Sequence, residues 1–300
     1  MKSRTIARNQ RTTIGGMELI TDPARSAWLT ARIDGSDTVA GTSGSGFEAY
    51  ARLLHPLTAN RVDPSTADEH GEPLVLESSV WRWSDVAARA GRTVQPDVAW
   101  SAVSGRDDER ELVFDDGWRV EHPEEGWFDP TQLAALTEHL AAATTTPLDV
   151  LAAIWDGWGD LNGSSTLAVG WQGGSPNAAE RADLREYAAR MAAEHRGQQD
   201  ALRASLAGPR LHLPGREYIV LGVTLPALAD PSWMDDARVG TYLEVGHTPQ
   251  LLWPEDHTWI VATEIDTDST IVAGSRQLIA DVLADGRFEA FEVAPESALV

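Results

Sequence analysis

The chain reads as an α+β protein, a mixed or antiparallel sheet packed with several helices and carrying a helical insertion near residues 178–206. Three observations predict this. The segment from Leu251 to Val293 strings together an aromatic turn, two strands, a capped helix and a closing strand. Strand-like and helix-like segments elsewhere follow one another in irregular order, not in strict βαβ alternation. An apolar content of 42% over 300 residues is enough to bury a substantial core.

Each element has its own local cause. Asp22-Pro23 is an N-cap followed by a first helical residue, opening a helix through Trp28, Leu29 and Ile33. Gly41 to Gly46 reads as a flexible connector, and Phe47–His55 alternates as a strand does. Residues 56–78 read as a polar loop; Ser84 is expected to cap a short helix that Gly91 ends. Asp116-Gly117 predicts a hairpin between Glu111–Phe114 and Trp118–Val120.

Asp129-Pro130 repeats the helix-start signal, with Leu133, Leu136 and Leu140 as the buried stripe. Asp149–Trp155 is a buried strand ending in the turn Asp156-Gly157-Trp158-Gly159, and Ser165–Trp171 is expected to be another strand. The Ala/Arg/Glu-rich segment 178–206 carries Leu184, Tyr187, Met191, Leu202 and Leu206 on one stripe, with a kink or turn expected at His195–Gln199. Arg216–Val223, Trp259–Glu264, Ser269–Ala273 and Phe288–Val293 supply further strands, and Ser275 caps the helix Arg276–Ala284. Residues 1–16, with four bases and no acid, are expected to form a disordered basic tail that is possibly not translated, ahead of a single α+β domain over 17–300; the 178–206 segment could divide that domain into two subdomains.

Composition excludes several classes of function. The balance of 46 acidic against 24 basic residues, a formal charge of −22, repels nucleic acid and anionic membranes. Without cysteine there is no disulfide, thiolate metal site or cysteine nucleophile. No export signal or 18-residue apolar run is present, which leads to a cytoplasmic expectation. No motif names a cofactor, and the Gly44-Ser45-Gly46 context is too short for a serine-hydrolase elbow.

Two constellations could carry chemistry. Glu264, Asp266 and Asp268 alternate, so on a strand they would share one face and could hold a hard divalent cation; alternatively the two aspartates belong to a hairpin turn and bond their own backbone. Trp155, Asp156 and Trp158 close one apolar strand, while Trp253, His257 and Trp259 surround another strand's turn. Indole N–H groups need partners, so both sets are expected to line one aromatic pocket, with the His257 pKa raised by Glu255 and Asp256.

Four stretches, FEAYARLLHP at 47–56, TTTP then IWDGWG within 144–159, PGREYIVL at 214–221 and WPEDHTWIVATEIDTDSTIVAGS at 253–275, together resemble an uncharacterised family of actinobacterial proteins. The resemblance implies a shared fold and brings no activity, cofactor or site residue with it. The expectation is therefore a non-catalytic binder of a small ligand or a protein partner. Alternatives are a metal-assisted hydrolase or transferase, with Glu264, Asp266 and Asp268 as ligands and His257 as base, and a toxin-neutralising or scaffold interaction module.

Overall fold

The computed structural model describes residues 13–14, 17–67, 71, 73–106, 111–164, 177–237 and 246–299. In chain order the strands are β1 (Thr13–Ile14), β2 (Met17–Leu19), β3 (Ala49–Leu54), β4 (Leu57–Ala67), β5 (Pro73–Trp81), β6 (Leu112–Val113), β7 (Trp118–Val120), β8 (Val150–Trp155), β9 (Leu211–Leu213), β10 (Arg216–Val223), β11 (Leu251–Pro254), β12 (Ile260–Ala262), β13 (Ser269–Gly274) and β14 (Ala290–Val293). The helices are α1 (Val39–Ser43), α2 (Trp83–Ala90), α3 (Trp100–Ser104), α4 (Pro130–Ala142), α5 (Gly159–Asn162), α6 (Ala178–Ser205), α7 (Leu225–Leu228), α8 (Trp233–Ala237) and α9 (Arg276–Ala284). The class is α+β.

A ten-stranded sheet has the order β1-β2-β10-β8-β11-β12-β13-β3-β14, with β9 joined to β10, and its neighbours pair antiparallel. A four-stranded sheet has the order β5-β4-β7-β6. The central strands of the large sheet are apolar at nearly every position because both faces are covered, and alternate residues feed different cores. Val150, Ala152 and Ile154 pack on one side under α4, α7 and α9 through Leu133, Leu136, Leu225 and Leu278. Leu151 and Ala153 pack on the other under Leu29, Ile33 and Val39. A third core joins Leu54 and Leu57 to Trp81, Trp83, Trp100 and Val120.

Several elements form where the local signals place them. Asp129 accepts from the backbone N–H groups of Thr131 and Gln132 at 2.8 and 3.0 Å to start α4, and Ser275 accepts from Leu278 at 3.2 Å to start α9. The Asp116-Gly117 hairpin forms with Gly117 at φ 86°, a conformation that favours glycine.

Other expectations are corrected. Asp22 caps a short 3-10 turn, Pro23–Arg25, and a second 3-10 turn, Ala27–Ala31, follows it, instead of one α-helix. Residues 41–46 are no loose connector: Gly41 lies inside α1, where a Cβ would collide with the Ser36 carbonyl oxygen. Helix α2 begins one residue before Ser84, and Asp85 accepts from the Arg82 N–H at 2.8 Å. The supposed polar loop 56–78 is mostly the β4–β5 ribbon, whose outer half is exposed on both faces and so lacks the alternation of a half-buried strand.

Helix α6 runs unbroken through His195–Gln199, because His195 and Gln199 occupy buried positions where apolar residues were sought. Tyr187, expected on its packed stripe, is 46% exposed. The strand expected at Ser165–Trp171 and most of the 1–16 tail lie outside the described residues; within the tail, Thr13 and Ile14 pair with Glu18 and Met17. No helix among the described residues is long and apolar enough to cross a membrane.

Candidate functional site

Register decides which expected site residues can meet. Trp155 pairs with Tyr218 at one end of β8, whereas Pro254 pairs with Val150 at the other. Five residues at ~3.4 Å each separate those ends by about 17 Å. Trp155, Asp156 and Trp158 therefore stand at one end of the sheet, and the turn that carries His257 stands at the opposite end. The single pocket expected from both sets does not form.

Trp253 and Trp259 are sealed in the core, and the Trp259 indole donates to the Leu140 carbonyl at 3.1 Å. His257 adopts φ 56° and stacks on Trp28 with ring centroids 4.4 Å apart. Burial pushes the His257 pKa down, aided by Arg32, and outweighs the upward pull of Glu255 and Asp256, so the expected upward shift is reversed. Glu255 is engaged by Arg25. Burial opposes ionisation of Asp256, but hydrogen bonds from Thr145, Thr258 and Thr144 hold it at about 2.

The three alternating carboxylates are also divided. Glu264 and Asp266 share Arg216, at 3.1 and 2.7 Å, and the Asp266 N–H donates to Glu264 at 2.6 Å across a turn. Asp268 faces away to Arg52 at 3.2 Å, both side chains being buried. The acids therefore do not share one strand face, and neither aspartate carboxylate bonds its own backbone, since Asp266 pairs with Arg216 and Asp268 with Arg52; His257 lies beyond their reach at the other end of the sheet. Among the described residues no group of three His, Asp or Glu side chains is placed to hold a metal ion.

What the β8 exit does build is a buried polar layer. Gln250 accepts from the Trp155 N–H at 2.8 Å and donates to the carbonyls of Gly126 and Thr248 at 3.2 and 3.0 Å. The Phe128 N–H donates to the Thr248 hydroxyl at 3.1 Å. Burial lowers the His55 pKa to about 4, so the ring is neutral; its Nδ1–H donates to the Glu124 carbonyl at 2.6 Å and its Nε2 accepts from Thr270 at 2.9 Å. These bonds pin residues 121–129 across the strand ends.

That pinned loop walls two cavities, of about 310 and about 370 Å³, and Glu124 and Trp127 line both. The smaller is completed by Glu125, Gly126, Trp158, His247, Thr248 and Gln250. Trp158 comes from the expected set, and it stacks flat on His247 with centroids 4.6 Å apart and planes 10° apart. Asp160, in the first turn of α5 and 1% exposed, accepts from His247 Nε2 at 2.8 Å. Burial, together with the nearby charges of Asp129 and Glu121, raises the Glu124 pKa. Trp155 and Asp156 line a separate groove, where Arg216 lies over the Trp155 ring and Arg210 pairs with Asp156 at 2.9 Å.

The residues that sequence reasoning missed are Glu124, Glu125, Trp127, Asp160 and His247. Asp160 sits one residue beyond the tryptophan turn Asp156-Gly157-Trp158-Gly159, and Glu124-Glu125-Gly126-Trp127 likewise sets acid, glycine and indole side by side. His247 is 87 residues from Asp160, so no spacing rule pairs them. Comparison with known protein families, with curated proteins and with solved structures finds no match.

Proposed function

We propose that this protein is a cytoplasmic, non-catalytic binder of a small organic cation, held in the cavity beside the 121–129 loop. One observation carries the reading: a cavity of about 310 Å³ has two tryptophans, two glutamates and a histidine in its described walls, and no lysine or arginine. That volume suits a small molecule. An open indole face attracts a cation by about 0.5–2 kcal/mol, more as water is excluded; one face of Trp158 is already covered by His247. The carboxylates supply the opposite charge, and the −22 of the whole chain raises the local concentration of cations.

The reading is tested by calorimetry with 2-phenylethylamine against the uncharged 2-phenylethanol and the anionic phenylacetate. The amine is expected to bind and the other two to bind at least tenfold more weakly. Trp158→Ala and Glu124→Gln should each weaken amine binding several-fold to tenfold while leaving melting temperature within a few degrees. Equal binding of all three probes, or of none, would sink the proposal.

A further inference from the structure

We infer that the ligand carries at least one N–H on its charged centre, as a primary or secondary ammonium does, and that His247 reads this hydrogen through Nδ1 while Asp160 acts as the positioning residue. This rests on the organic-cation reading of the same cavity and narrows it.

The inference follows from proton accounting around one ring. Asp160 is 1% exposed and its carboxyl oxygen stands 2.8 Å from Nε2; with that oxygen as acceptor, the hydrogen of a singly protonated ring lies on Nε2. In the neutral ring Nδ1 is then a lone pair. The flat stack on Trp158, with planes 10° apart, fixes the plane in which that lone pair points. No described residue donates to Nδ1, and this nitrogen is not among the buried polar atoms left without a partner. His247 itself lines the cavity.

Most of the other polar walls leave the same demand; the exception is the Trp158 indole N–H, a buried donor with no partner among the described residues. The Gln250 carboxamide is committed on both sides, to Trp155 and to Gly126 and Thr248. Glu124 and Glu125 present carboxylates, which accept only. A quaternary ammonium would satisfy the charge and the indole faces, yet would strip water from Nδ1 and give nothing back. A site built to receive a hydrogen bond discriminates strongly against an analogue that lacks the donor.

The test is calorimetry on the full chain with 2-phenylethylamine, its N-methyl derivative and its N,N,N-trimethyl derivative. The first two are expected to bind within a few-fold of each other and the trimethyl ion at least tenfold more weakly. His247→Phe keeps a ring on Trp158 but removes the acceptor; it should bring the ratio of the three affinities to within a few-fold of one. Asp160→Asn should shrink the same ratio of affinities, a quantity that a merely structural role would not move. Should His247→Phe unfold through loss of its bond to Asp160, the double variant Asp160→Asn/His247→Phe carries the same comparison. Equal affinity for the three ions, or preference for the trimethyl ion, overturns the inference and leaves the cation reading standing; no binding by any of them overturns both.

Discussion

At the scale of single residues, the pair Arg52–Asp268 shows how charge is managed inside this protein. Arg52 donates to Ser269, to the carbonyls of Pro96 and Val98, and to Asp268, so its fork ties the large sheet to the segment that leads into α3. Burial outweighs the attraction of Arg52 and lifts the Asp268 pKa from 3.8 to about 6. The folded state therefore holds a proton that the unfolded chain has released between pH 4 and pH 6. Stability linked to this group is fullest below about pH 4, falls as pH rises and reaches its full penalty above about pH 6, a change of about 3 kcal/mol. The stability difference between the wild type and Asp268→Asn should decline across that window; parallel curves from denaturant titrations at pH 4, 5, 6 and 7 would contradict it. None of this was legible in the sequence, where Asp268 looked like the third member of an acidic triplet, because its partner lies 216 residues away.

At the scale of elements, legibility followed the reach of the signals. Helices α4 and α9 were readable because their caps act within three residues, and β8, β10 and β13 because a sheet covered on both faces writes short apolar runs into the chain. The β4–β5 ribbon was not readable, since Leu74, Val75 and Leu76 are all about half exposed and no face is hidden. The long helix α6 was misread at its middle for the opposite reason: a polar pair is buried there. His195 is 3% exposed and neither ring nitrogen finds a partner among the described residues. An unsatisfied buried group costs about 1–3 kcal/mol, so His195→Leu should raise the melting temperature by several degrees. A fall of that size in a thermal melt would show that the imidazole is held by a bond.

At the scale of the whole molecule, the candidate site arises from topology. An antiparallel sheet covered on both faces leaves strand ends as the places where polar side chains and loops can meet solvent without opening a core. One end is closed by ordinary packing of Trp28, His257 and the Arg25 ion pairs with Asp149 and Glu255. The other holds the Gln250 layer, the 121–129 loop and the cavity with Trp127, Trp158 and His247. The sequence showed that tryptophans gather at strand ends; it could not show which end is open, because register between β8 and β11 is a long-range property.

The twelve indole N–H groups make that distinction measurable in one experiment. A titration of ¹⁵N-labelled protein with 2-phenylethylamine, with the indole resonances assigned by single Trp→Phe variants, should move Trp127 and Trp158 and leave Trp28, Trp253 and Trp259 in place. Movement confined to the Trp28 and Trp253 end, or no movement of any indole at millimolar amine, would contradict the placement of the site.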